Sequence, residues 1–245
     1  MKIPMLHGLI RRRLLVNFRV DPRVIAGQLP APFRPKLQAG HAIAGLCLIR
    51  LEHVRPAGWP ANLGMASENA AHRVAVAWTD PGGATREGVF IFRRDTSSGL
   101  AHLAGGRLFP GVHHRAAFRV HDDGRRVDLA MASADGAAWL RVRGEEAETL
   151  PATSCFASLA DASLFFERGC VGYSPGGKRG ALDGLRLETP AWRVRPFALR
   201  EVESRWLDAL AAPLPGSAQL DHALIMRDMP HAWHAVDERP GEERR

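Results

Sequence analysis

AAFRVHDDGRRVDLAMASADGAAWLRVR, residues 116–143, decides the fold. Ala116, Phe118 and Val120 alternate with Ala117, Arg119 and His121, the two-residue period of a strand with one apolar face. Asp123-Gly124 turns the chain into Val127, Leu129 and Met131, and Asp135-Gly136 turns it again into Ala138, Leu140 and Val142. Three consecutive antiparallel strands make a meander, so a chain built mainly of antiparallel sheet is expected.

Outward from the meander the same signals recur. Residues 42–51 (AIAGLCLIRL) are apolar on both alternating faces, as in a strand covered on both sides, and 74–78 and 89–92 are similar short runs separated by Asp80-Pro81-Gly82-Gly83. Asp21 as N-cap and Pro22 at the first helical position open a short helix that Pro30 ends, and the strands are expected to begin after it. Ser158 with Asp161 starts a second helix carrying Leu159, Ala162, Phe165 and Phe166, closed by Gly169. Residues 172–184 read as a loop, 185–188 and 192–202 as strand pieces, 204–210 as mixed, and 223–226 as a last apolar run. No repeat or compositional shift divides the chain. One domain over 1–245 is expected, with a core over about 14–234 and a charged, frayed tail over 237–245.

At 245 residues the chain can bury a core without disulfides or metal. Cys47, Cys155 and Cys170 are odd in number and form no Cys-x-x-Cys pair, which suits reduced, structural thiols. No apolar run approaches the roughly 20 residues that cross a bilayer, and Arg11-Arg12-Arg13 stand where a signal peptide needs its apolar stretch. A soluble, cytoplasmic protein without membrane contact is therefore expected. The net charge is +7, and only Lys2, Lys36 and Lys178 among the 33 basic residues are lysines. Such a balance suggests polyanions, yet the arginines are dispersed and aromatic residues are only 7%, so nucleic acid is the weakest partner reading.

Two motif matches overlap in GYSPGGKRG. Gly172-Tyr173-Ser174-Pro175-Gly176 fits the Gly-x-Ser-x-Gly elbow, but Pro175 lacks the N–H that an oxyanion hole needs. A phosphate-binding loop fails on Arg179, which replaces the magnesium-holding hydroxyl. The segment reads instead as a loop bordering a pocket, with Tyr173 as a candidate lining residue. His231-x-x-His234 and His113-His114 come nearest to metal-ligand spacing, no third ligand can be named, and no metal or cofactor is expected.

Strand parity places His114 inward with Ala116, Phe118 and Val120, and His113 outside. An inward His114 is either a titratable group in an apolar enclosure or a core histidine satisfied by a carbonyl. Arg93 and Arg94 point to opposite faces, so one of them is a candidate buried cation. Glu68 and Arg73 either supply a carboxylate and an anion fork or pair with each other.

VDPRVIAGQLP, GHAIAGLCLIRLEHVRPAGWP, FRRDTSS, GGRLFPGVHHRAAF, SLADASLFFERGCVGYSP and DHALIMRD, in this order from about residue 14 to 234, resemble the DUF2071 (YqjF-like) family. That family is related to acetoacetate decarboxylase, and the resemblance implies an antiparallel β-barrel with an interior ligand pocket and a few peripheral helices. The decarboxylases carry a stretch similar to Arg-Glu-Ile-Trp-Gly-Phe-Pro-Lys-Lys whose first lysine forms a Schiff base with the keto acid. Laid on this chain, Arg107 and Gly111 match the arginine and glycine, and the lysine pair falls on His114 and Arg115. Neither can form the iminium electron sink, so Schiff-base decarboxylation is not expected.

These readings converge on a small-molecule-binding barrel of mainly β class. His114 is nominated as a general acid or base, and Glu68, Arg73, Arg93, Arg94 and Tyr173 as ligand-binding residues for an anionic or carbonyl-bearing molecule in an interior pocket. A non-catalytic binding or sensing domain is the alternative, a basic nucleic-acid-associated protein the third. Assembly into a homo-oligomer stays open.

Overall fold

In the computed structural model, residues 5–106, 110–177, 180–236 and 240 are described. Arg107, Lys178, Arg179 and all but one residue of the 237–245 tail lie outside them. The strands in chain order are β1 (Met5–Val20), β2 (Arg34–Pro35), β3 (Leu37–Gln38), β4 (His41–Pro56), β5 (Met65–Thr79), β6 (Thr85–Thr96), β7 (His114–Asp122), β8 (Arg126–Ser133), β9 (Trp139–Glu146), β10 (Val171–Pro175), β11 (Leu182–Glu188), β12 (Arg195–Ser204) and β13 (Ala218–Val236). The helices are α1 (Pro22–Ala26), α2 (Gly99–Ala104), α3 (Leu159–Glu167) and α4 (Arg205–Ala211). None is long and apolar enough to cross a membrane among the described residues.

The thirteen-stranded sheet closes on itself twice. The larger ring runs β5–β6–β7–β8–β9–β12–β13–β1–β4 and back to β5. The smaller runs β6–β10–β11–β13–β1–β4–β5 and back to β6. Shared strands therefore present one face to each enclosure, which is why residues 42–51 are apolar on both alternating faces. The even positions Leu14, Val16, Ala44, Leu46, Val74 and Val76 join Leu129, Met131, Leu140 and Val142 of the meander in the core of the larger ring. The opposite face, with Leu15, Ile43, Cys47 and Ala75, packs against Phe165 and Phe166 of α3. Capping is as expected: Asp21 accepts the Arg23 N–H at α1, and Ser158 accepts the Asp161 N–H at α3.

The expectation that strands begin only after α1 is corrected. β1 precedes it and pairs along its length with β4 and β13. Arg11-Arg12-Arg13 hid the strand, because Arg12 and Arg13 point into the two compartments while their neighbours remain apolar. The expected loop at 172–184 is likewise corrected, since it carries β10 and the start of β11. Its glycines serve close approach more than flexibility. A Cβ on Gly184 would come 2.8 Å from the Tyr173 ring, and one on Gly88 would meet the Val171 carbonyl at 2.5 Å where β6 and β10 join.

Candidate functional site

Arg13 of β1, Cys47 of β4, Arg73 of β5 and Arg94 of β6 occupy the strand face toward the smaller ring, brought together by sheet register. Leu15 pairs with Cys47, Cys47 with Ala71, and Ala71 with Arg94, so one row of cross-strand partners runs from β1 to β6. Arg13 Nε lies 3.4 Å from Cys47 Sγ, and the Cys47 sulfur also acts on the charges of Arg73 and Arg94. The Arg13 guanidinium stacks 5.4 Å from the Trp192 ring and that of Arg73 lies 5.0 Å from Phe166.

This cluster is short of acceptors. Arg73 is only 2% exposed; its Nη2 donates to Asn17 Oδ1 at 2.7 Å, while its Nε and Nη1 have no partner. Arg13 Nη1 and Arg94 Nη2 are also unpartnered. Burial pushes both Arg73 and Arg94 down to about 10, and the charge of Arg13 adds to the effect on Arg73. Among the described residues no carboxylate makes an ion pair with any of the three, although Asp183 offers Arg94 partial compensation. Buried guanidiniums without acceptors are rare, and such groups cluster at ligand sites.

Around Arg94 the wall is polar. Its Nε donates to Ser174 Oγ at 3.3 Å, and the Gly111 N–H donates to Asp183 Oδ2 at 2.9 Å. His113 Nδ1 lies 3.0 Å from the Gly111 carbonyl, an acceptor only, so Nδ1 carries the proton and Nε2 keeps its lone pair. Burial, with the Arg94 charge second, lowers His113 to about 4. The ring is neutral at pH 7. Behind Arg73, Asn17 Nδ2 donates to His222 Nε2 at 3.1 Å, and His222 Nδ1 donates to Asp221 Oδ2 at 2.5 Å. Asp221 is held down to about 2: burial opposes this, and hydrogen bonds from His222, the Cys155 N–H and Ser154 override it.

Of the nominated residues, Arg73 and Arg94 meet here. Arg93 and Arg94 do face opposite sides; Arg93 is neutralised by Asp95 at 2.8 Å and Asp135 at 2.9 Å. Glu68 and Arg73, five residues apart on one strand, face opposite compartments and do not pair. Glu68 bonds Arg12 at 2.6 Å inside the larger ring, and burial raises its carboxyl. Tyr173 packs at 5.4 Å from both Phe33 and Trp78 on the larger ring's side, while the adjacent Ser174 faces Arg94. His114 keeps the parity of Ala116 but its side chain is 39% exposed and ion-paired to Asp135 at 3.3 Å, so the expected apolar enclosure is corrected. His113, placed outside by parity, is partly buried and is the one that turns toward Gly111 and Arg94: β7 begins at His114, and alternation does not extend into the preceding turn.

Sequence reasoning missed Arg13, Cys47, Asn17 and His113. The usable signal for the first three was β1 itself, since 13, 15 and 17 share a face with Cys47 once that strand is recognised. His231 and His234 sit on β13, where a spacing of three puts them on opposite faces, and no group of three metal-ligating side chains is present among the described residues.

The fold matches that of acetoacetate decarboxylase-like structures. The chain resembles acetoacetate decarboxylase from Legionella pneumophila subsp. pneumophila str. Philadelphia 1 with a TM-score of 0.61 at 12% identity, covering 96% of this chain and 88% of that one. An acetoacetate decarboxylase-like enzyme from Sphingomonas wittichii RW1 gives 0.59 at 13% identity, covering 97% and 94%. The enduracididine biosynthesis enzyme MppR complexed with pyruvate gives 0.56 at 12%, covering 96% and 89%. Residues 9–227 match the DUF2071 model, described as an uncharacterized conserved protein, and the chain belongs to that family. No curated protein matches the sequence.

Proposed function

We propose that the chain binds a small carboxylate-bearing molecule in the smaller ring, against Arg13, Arg73 and Arg94, and acts on it through proton transfer at His113. The observation that carries this reading is the set of four unpartnered guanidinium nitrogens around Cys47. A bound carboxylate would supply the acceptors these donors lack. A neutral imidazole with a free Nε2 is suited to take a proton next to a carbonyl whose charge the arginines stabilise.

Among the described residues amine chemistry has no support. Lys36, the lysine among the described residues, is committed to Glu87 at 2.7 Å and to the Phe165 carbonyl at 3.2 Å. The alternative, a sensing domain without turnover, shares the arginines and differs only in whether His113 moves a proton.

Titration calorimetry with pyruvate, the molecule held by MppR, tests the site. Binding is expected, weakened at least tenfold by Arg73→Met with the circular dichroism spectrum unchanged, and borohydride should leave the protein mass unaltered. Absence of binding by pyruvate, acetoacetate, malonate and succinate alike, or a reduced adduct on a lysine, overturns the proposal. With a substrate in hand, loss of turnover but not of binding in His113→Gln selects the enzyme over the sensor.

A further inference from the structure

We infer that the ligand of this site is a dianion, a short aliphatic dicarboxylate; the inference rests on the compartment being a carboxylate site. The first argument is charge. Three guanidiniums converge on Cys47, and among the described residues no carboxylate bonds any of them, Asp183 acting on Arg94 without bonding it. Among the described residues the cluster is therefore in excess of positive charge, offset only in part by Asp183 and the Cys47 sulfur, in an enclosure where weak screening makes the imbalance costly. A dianion offsets more of that excess than a monocarboxylate can.

The second argument is the arrangement of donors. The free nitrogens belong to three side chains on three different strands: Arg13 Nη1 on β1, Arg73 Nε and Nη1 on β5, and Arg94 Nη2 on β6. One planar carboxylate can face one guanidinium fork squarely and a second at an angle, whereas two carboxylates joined by a short chain can engage all three. The surfaces between the cations suit that linker. The Cys47 thiol, the Phe166 ring beneath Arg73 and the Trp192 ring beneath Arg13 are all weakly polar. Arg94 stands apart from Arg73 and Arg13 in its partners, Ser174 and Asp183, and so marks the second carboxylate's position.

Calorimetric titration with malonate, succinate, acetate and pyruvate, all at one ionic strength, provides the test, because screening otherwise mimics a charge preference. At least one dicarboxylate is expected to bind tenfold or more tightly than either monocarboxylate. Arg94→Met should reduce this preference to within twofold. Equal affinity for both classes overturns the dianion assignment and leaves the carboxylate site intact, whereas binding by none of the four overturns both. Tighter binding of inorganic phosphate than of every dicarboxylate also overturns the assignment.

Discussion

Arg73 donates Nη2 to Asn17 Oδ1 at 2.7 Å, and this contact joins the cation cluster to the buried His222–Asp221 pair. Asn17 is fully buried and uses both ends of its amide, the oxygen toward Arg73 and the nitrogen toward His222. The orientation of the amide is fixed by its neighbours: Asp221 only accepts, which protonates His222 Nδ1 and leaves Nε2 as the acceptor.

Replacing Asn17 by Leu is therefore expected to destabilise the fold by about 1–3 kcal/mol, since it strands an Arg73 donor and a His222 acceptor together. Urea denaturation reads this loss. Carboxylate affinity should fall as well, because Arg73 loses the contact that holds its head in place. Unaltered stability and affinity would show that the amide does not position the arginine.

Cys47→Asp places a carboxylate where the three guanidiniums converge. Introducing an acid into a core normally destabilises. Here the expected sign is reversed: the free protein gains about 1–2 kcal/mol, a rise of roughly 2–8 °C in melting temperature, and loses its affinity for carboxylates. A lower melting temperature with anion binding preserved would contradict the charge excess.

The meander at residues 116–143 was legible because each of its strands has one apolar face and each turn carries Gly. β1 was not, because Arg12 and Arg13 interrupt the apolar pattern by entering two different enclosures. Arg73 and Arg94 could be nominated as cations against apolar strands. Their convergence on Cys47 depends on register across β1, β4, β5 and β6, which local periodicity does not specify. His113 was lost to a parity count carried one residue beyond the end of a strand.

Acid should destabilise the protein above the range in which its carboxylates titrate. Burial lowers His113 and His231 to about 4 in the folded chain, from an ordinary value near 6.5. Between those values the unfolded chain binds more protons, so stability rises with pH across the window and is lost on descending through it. The urea midpoint should fall between pH 7 and pH 4.5, and His231→Leu should remove about half of that dependence. A midpoint that is flat over this range would mean that neither imidazole is held neutral by the fold.

The two compartments should respond in opposite ways when charge is removed. In the larger ring, Glu68 bonds Arg12 at 2.6 Å, and Arg12, only 2% exposed, has Asp122 as a weaker second partner at 3.3 Å. Glu68→Gln withdraws the main countercharge from a buried cation and is expected to cost about 2–4 kcal/mol, with carboxylate affinity unchanged. In the smaller ring, Arg94→Met removes a cation that has no carboxylate bonded to it, so stability should hold or rise while the preference for dicarboxylates disappears. Charge is paired on one face of β5 and β6 and, among the described residues, has no carboxylate bonded to it on the other. Thermal melts and titrations on the two variants check that division: a loss of ligand affinity in Glu68→Gln equal to that in Arg94→Met would put the binding site in the larger ring instead.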